Sequence, residues 1–232
     1  MPAVHHDLVS FDLDGTLVDT AAEIAEAACR ALEDHGIARR PVPEIVAFIG
    51  HGTRELILRL LERVFQEQPG LAATVRAAEV LARMDHHYAL TTGTSAAPYP
   101  GVVAALRRLD AAGVKLACVT NKESRHAHRV LEVTGLDTCF ALTIGGDTLP
   151  QKKPDPSVLQ YVVGALGGER SRAAHVGDSS IDVQAARNAG VAAWAVPYGY
   201  NGGAPISAAN PDRLFAGIPE VAEFVLAASP GG

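Results

Sequence analysis

Asp12 and Asp14, in Phe11-Asp12-Leu13-Asp14-Gly15-Thr16, place two carboxylates two residues apart where an apolar run ends. Leu8, Val9, Ser10 and Phe11 read as a short buried strand, which puts Asp12 at its carboxyl end. Gly15 lets the chain turn away at once. Like charges delivered together to the mouth of a sheet are costly unless a cation joins them. The pair therefore points to a Mg²⁺ site with one carboxylate free to act as a nucleophile. Thr120-Asn121 ends another apolar run and offers a hydroxyl and an amide to phosphate oxygens, with the free N–H groups of a helix starting near Ser124 beside them. Lys153 lies in Lys152-Lys153-Pro154-Asp155-Pro156, where proline fixes the backbone just before a helix and so fixes where the lysine points. Gly177-Asp178-Ser179-Ser180-Ile181-Asp182 supplies a second pair of acids, one on a loop and one at the start of a helix.

The elements that must position these groups fall into two textures. Residues 20–91 are helical in pattern. Thr20-x-x-Glu23 has the form of a capping box ahead of Ile24, Ala28 and Leu32, with a stop at Gly36. Pro43 can open a short second helix ending near Gly50. Leu56, Ile57, Leu60, Leu61 and Val64 mark one face of a third, and residues 71–90 supply a fourth. The small residues after Thr91 suit a linker back to the first strand's domain. Beyond it, apolar runs at 114–119, 140–144, 173–176 and 191–196 alternate with helical stretches at 102–112, 124–134, 156–166 and 181–189. That alternation predicts an α/β fold with a parallel sheet covered on both faces, whose chemistry collects at the strands' carboxyl ends. The reading divides the chain into a catalytic core, 1–19 plus 92–232, and an inserted helical domain, 20–91. Ser229-Pro230-Gly231-Gly232 is expected to fray.

Composition limits the classes of function. The chain has 232 residues, 48% of them apolar and 20% charged, enough for one substantial core and a smaller second one. A net charge of −6 without a basic cluster argues against nucleic acid as a partner. No run approaches the roughly 18 apolar residues that span a bilayer, and the start lacks a signal-peptide pattern, so no membrane partner and a cytoplasmic location are expected. Oligomeric state leaves no sequence signal. Cys29, Cys118 and Cys139 are too few and too scattered for a disulfide framework or a zinc site, and read as reduced packing residues.

Asp-x-Asp-Gly-Thr, Thr-Asn, Lys-Pro and Gly-Asp-Ser-x-x-Asp, in this order and spacing, resemble the haloacid dehalogenase superfamily over nearly the whole chain. The resemblance implies a Rossmann-like core with strand order 5-4-1-2-3 and a helical cap inserted after the first motif. It implies further that Asp12 attacks the phosphorus of a small monoester to form an aspartyl phosphate, and that Asp14 protonates the leaving oxygen and then activates water. Mg²⁺ would be held by Asp12, the Asp14 carbonyl and Asp178. Lys153 and Thr120 would balance phosphoryl charge, helped by Asn121 and the N–H groups of Leu13 and Asp14, while Asp182 would orient the metal site or Lys153. A carboxylate at Asp14 separates ester hydrolysis from dehalogenation, which has less need of an acid; a phosphomutase, or a phosphatase for a sugar phosphate, nucleotide or pyrophosphate, would use the same motifs. A phosphate-sensing protein without catalysis needs no complete acid–base pair, and this chain keeps one.

Segments outside the four motifs resemble the phosphoglycolate phosphatase family: Ile49-Gly50-His51-Gly52, Tyr99-Pro100-Gly101-Val102, Gly145-Gly146-Asp147, Tyr198-Gly199-Tyr200-Asn201 and Pro211-Asp212. That likeness implies 2-phosphoglycolate as substrate, with the turn at Gly50 and Gly52 facing the site and exposing backbone N–H groups to a small carboxylate. Arg54 and His51 are candidates to touch it. Other residues have simpler readings. Asp19 belongs to the first turn of the first helix, Lys152 to the surface, and His86-His87 and His126-x-His128, wrongly spaced to share a metal on one helical face, to solvent.

Overall fold

The first apolar run, Leu-Val-Ser-Phe, is buried at all four positions and becomes the central strand β1 (Leu8–Phe11). The computed structural model describes residues 6–227, so the expectation for the last four residues lies outside them. In chain order β1 is followed by β2 (Val18–Asp19), α1 (Ala21–Glu33), α2 (Val42–Val46), α3 (Thr53–Glu67), α4 (Ala77–Thr91) and β3 (Ala97–Pro98). Then come α5 (Val102–Ala111), β4 (Lys115–Val119), α6 (Ser124–Thr134), β5 (Leu142–Ile144), α7 (Pro156–Ala165), β6 (Ala173–Gly177), α8 (Ser180–Ala189), β7 (Ala192–Ala195), β8 (Arg213–Leu214) and α9 (Ile218–Ala227).

Six strands pair in the order β5-β4-β1-β6-β7-β8, every pairing parallel. The first five reproduce the expected order. The sixth, β8, was not anticipated, because two residues are too short to show a period. Asp212 anchors it, its carboxylate accepting from the Ala193 N–H at 2.8 Å and its own N–H donating to the Ala193 carbonyl at 2.7 Å. Register aligns Phe11 with Cys118 on one side and Val176 on the other, so Asp12, Thr120 and Asp178 leave three adjacent strands at one edge. The chain reverses its direction of travel across the sheet between β1 and β6, the place where such sheets open a crevice.

Alternation decides which face each strand residue covers. Val9, Phe11, Leu116, Cys118, Ala174 and Val176 join the apolar layer beneath α5 and α9. Leu8, Ala117, Val119 and Ala173 face the opposite layer, under α7 and α8. A third cluster lies wholly within residues 24–88, where Ile24, Ala28 and Leu32 of α1 pack with Leu56, Leu60 and Val64 of α3 and Met84 and Tyr88 of α4. The five predicted face residues of α3 are all buried. Cys29, Cys118 and Cys139 are free and buried, as packing residues are.

Three local expectations are corrected. Thr20 does not form a capping box: its hydroxyl donates to Asp14 at 2.7 Å, and Glu23 accepts from the Gly93 N–H at 2.9 Å instead of turning back. The first N–H groups of α1 are met from elsewhere, by the Tyr200 hydroxyl at 2.9 Å from the Thr20 N and by Asp19 at 3.1 Å from the Ala21 N. The fourth helix begins at Ala77 and not at 71, because residues Pro69–Ala73 make a separate 3₁₀ turn. Thr74 and Val75, β-branched and weak helix formers, fall at the break. The segment after Thr91 is a paired connection, since β3 lies antiparallel to β2 and ties the exit of the helical insertion to its entrance. Among the described residues no helix is long and apolar enough to cross a membrane.

Candidate active site

Asp12 continues β1 past its last ladder residue, its N–H donating to the Val176 carbonyl at 2.9 Å, and is 8% exposed. Lys153, 3% exposed, has its three ammonium protons committed: to Asp12 at 2.8 Å, to Asp182 at 2.7 Å and to the Val119 carbonyl at 2.6 Å. Such saturation fixes a point charge beside the carboxylate. Burial pushes the Asp12 carboxyl up to about 6, with Lys153 working against that rise and the Asp182 charge adding to it. Burial alone would depress the Lys153 ammonium, but Asp12 and Asp182 reverse the direction and hold it raised.

Asp182 caps the helix it starts. One oxygen accepts from the Ser179 hydroxyl at 2.6 Å and the Ser179 N–H at 3.1 Å, while the other faces Lys153 and lies 3.3 Å from His175. Burial opposes its ionisation, yet Lys153 and His175 hold its carboxyl below the usual range. Both oxygens are thus occupied, and Asp182 orients Lys153.

Asp178 is 2% exposed, and its oxygens accept from the Thr16 hydroxyl at 2.9 Å and from the Tyr200 N–H. Burial, then the charges of Asp12 and Asp182, push its carboxyl well above the usual range. The loop at 198–201 wraps this acid. A Cβ on Gly199 would fall 2.2 Å from an Asp178 oxygen, and one on Gly15 2.5 Å from the same oxygen, so both turns need glycine to approach it. Tyr198 donates to the Thr16 carbonyl at 2.8 Å and its ring lies tilted against that of Tyr99, and Asn201 accepts from the Ser180 N–H at 3.0 Å.

Ligand oxygens of Asp12, Asp178 and Asp182 lie within 4.8 Å of one another. Three buried acids against one buried ammonium leave negative charge uncompensated, which is unstable in a low-dielectric site. The donors are all hard oxygens, and the Asp14 carbonyl has no donor among the described residues. The set fits a hard divalent cation held by Asp12, Asp178 and the Asp14 carbonyl.

Asp14 stands across from Asp12. Its carboxylate accepts from Lys122 at 2.9 and 3.2 Å and from Thr20 at 2.7 Å. Thr120 accepts from the Lys122 N–H at 3.2 Å, which leaves its hydroxyl proton free. The N–H groups of Leu13 and Asp14 have no acceptor among the described residues. Asn121 differs from expectation: its amide donates to the Gly50 carbonyl at 3.0 Å and the Lys153 carbonyl at 2.9 Å, so it braces two loops. The Ser124 N–H is also taken, by Asp147 at 2.7 Å, so the start of α6 is capped from within. Gly145 and Gly146 permit that contact, since a Cβ there would lie 2.5 Å from Ser124 and 2.3 Å from the Asn121 carbonyl.

Asp12, Asp14, Tyr88, Thr120, Asn121 and Lys122 border a small cavity of about 30 Å³ whose other walls are Ile24, Ile49, Gly50, Gly52, Thr53 and Leu56 from the helical insertion. Gly50 and Gly52 have φ of 122° and 88°. Neither Arg54, which is exposed, nor His51 lines the cavity. Lys152 is on the surface as expected, though its ammonium reaches the His51 carbonyl at 2.6 Å. His126 is not solvated: it is buried, 2.9 Å from the Thr92 hydroxyl and with its ring centroid 4.3 Å from that of Tyr88.

Lys122 and Tyr88 were missed from the sequence. The signal for Lys122 was its place: a charged residue in the loop after a parallel strand, directly behind Thr120-Asn121. Tyr88 lay unremarked within the stretch 71–90 that supplies the fourth helix.

Residues 6–190 match the family described as haloacid dehalogenase-like hydrolase. A plasmid-borne phosphoglycolate phosphatase of Cupriavidus necator is 41% identical over 206 residues, 89% of this chain and 87% of its own length. One from Thiobacillus denitrificans is 37% identical over 221 residues, 94% of this chain and 93% of its own. The crystal structure of a predicted phosphoglycolate phosphatase from Haemophilus somnus superposes with a TM-score of 0.86 at 30% identity, covering 94% of this chain and 97% of that one.

Proposed function

Because the chain belongs to the haloacid dehalogenase-like hydrolases, we propose that it is a Mg²⁺-dependent phosphatase converting 2-phosphoglycolate to glycolate and inorganic phosphate. The observation that carries the reaction is the pairing of a buried Asp12, held by Lys153 at 2.8 Å, with Asp14 on the same cavity. Asp12 supplies the nucleophile and Asp14 the proton donor and acceptor. The substrate rests on the relatives' shared name, and the small cavity disfavours bulky esters.

In the first step an Asp12 oxygen bonds to phosphorus as the ester P–O bond breaks, and Asp14 gives its proton to the departing glycolate oxygen. In the second, Asp14 takes a proton from water as the water oxygen bonds to phosphorus, and Asp12 leaves as a carboxylate with inorganic phosphate. Lys153 holds one Asp12 oxygen, leaving the other to react. The free Thr120 hydroxyl and the N–H groups of Leu13 and Asp14 meet the equatorial phosphoryl oxygens. Asp12, Asp178 and the Asp14 carbonyl would hold Mg²⁺, which when bound would supply further positive charge beside those oxygens. Residues 20–91 act as a cap over a core of 1–19 plus 92–232, with Gly50 and Gly52 over the leaving group.

Phosphate release with Mg²⁺ from 2-phosphoglycolate, sugar phosphates, nucleotides and pyrophosphate tests this reading. The expected result is a kcat/KM for 2-phosphoglycolate about tenfold or more above the others. Preference for a different ester would reject the substrate and leave the chemistry at Asp12.

A further inference from the structure

Among the described residues lining the cavity, Lys122 alone is cationic. Its side chain is 1% exposed and already engaged. The ammonium donates to both oxygens of Asp14, at 2.9 and 3.2 Å, and to the Tyr88 hydroxyl, with the Tyr88 ring centroid 4.9 Å away. An Asp14 that gives both oxygens to Lys122 is not free to turn to the ester oxygen. Yet a buried ammonium that loses its carboxylate is strongly destabilised unless another anion replaces it. Glu23 is close enough for Lys122 to favour its charged form, but one of its oxygens accepts from Gly93 and Ser95 and the other makes no hydrogen bond. It does not reach Lys122.

We propose that the substrate's own carboxylate replaces Asp14 on Lys122, so that one residue both reads the second anionic group and releases Asp14 for proton transfer. This rests on the phosphatase reading of the site. The exchange is feasible because Lys122, Asp14, Thr120 and Asp12 border one cavity, so a ligand with two anionic ends a few bonds apart can address both sides. It is ion-pair exchange, with no net change in buried charge type at Lys122. A monoester without the carboxylate binds through its phosphate but leaves Asp14 tied to Lys122, and so is discriminated in kcat more than in KM.

The test compares 2-phosphoglycolate with 2-hydroxyethyl phosphate, the same skeleton with an alcohol in place of the carboxylate, in the wild type and in Lys122→Met. The wild type is expected to favour 2-phosphoglycolate in kcat, and Lys122→Met to reduce the kcat/KM ratio by about tenfold or more. Lys122→Arg, which keeps the charge, retains most of the preference. Should Lys122→Met fail to fold by circular dichroism, Lys122→Gln, which keeps a donor for Tyr88, gives the same comparison. A preference that survives in the neutral variants overturns the role of Lys122 and leaves the phosphatase reading intact. A wild type that hydrolyses both esters equally overturns the exchange, and one that hydrolyses neither overturns both readings.

Discussion

At the scale of residues, the site is a balance of buried charge. Asp12, Asp178 and Asp182 crowd together, and Lys153 is the ammonium that answers them. Replacing Lys153 by Met leaves buried acids without their partner, which costs about 3–5 kcal/mol. The expected outcome is a lower urea midpoint together with a kcat reduced by about a hundredfold or more. An unchanged midpoint would show that Lys153 does not balance the acids. Asp12, Asp14 and Asp178 stood out in the sequence as acids just past apolar runs, and Lys153 as a lysine fixed by the proline before a helix. The partners of Asn121 were not legible, since its amide is claimed by Gly50 and Lys153, 71 and 32 residues away in the chain. Lys122 was hidden for the same reason: its value depends on Tyr88 from a distant helix.

At the scale of elements, turns decide how closely backbone can approach a reacting group. Gly52 has φ 88°, and a Cβ there would lie 3.0 Å from the Asn121 carbonyl. Gly52→Val therefore strains the backbone and pushes the turn from the core loop. It should raise KM or lower kcat for 2-phosphoglycolate by about tenfold, with a melting temperature lowered by only a few degrees; unchanged kinetics would remove this turn from the site. Strands and helices were readable from periodicity, and all five strands expected of the sheet are present. One cause of error is competition for a polar side chain by a partner remote in sequence. Thr20 and Glu23 have the spacing of a capping box, but Asp14 and Gly93 take them first. The edge strand β8 is set by Asp212 on β7, a contact without a local pattern.

At the scale of the whole molecule, the join between the helical insertion and the core is a polar seam at residues 88–95. His126 of α6 sits there against Tyr88 and Thr92. Burial, followed by the charges of Arg125 and Lys122, lowers its pKa from 6.5 to about 4. The unfolded chain therefore binds a proton at His126 between pH 6.5 and 4 that the folded chain refuses, and folded-state stability attributable to this group falls as pH falls through that window. His126→Phe, which keeps a ring on Tyr88 and cannot titrate, should show a shallower loss of urea midpoint from pH 7 to 4.5 than the wild type. Parallel pH profiles would contradict this reading of the seam.

Turnover by this chemistry passes through a phosphorylated Asp12. Acid quenching of the enzyme within the first turnover of 2-phosphoglycolate with Mg²⁺, followed by peptide mass spectrometry, measures this directly. The peptide containing Asp12 is expected to gain one phosphoryl group, absent in Asp12→Asn, whose turnover should fall by about a thousandfold or more. A fully active enzyme in which Asp12→Asn still turns over at a comparable rate, with no phosphoryl group on that peptide, would contradict it.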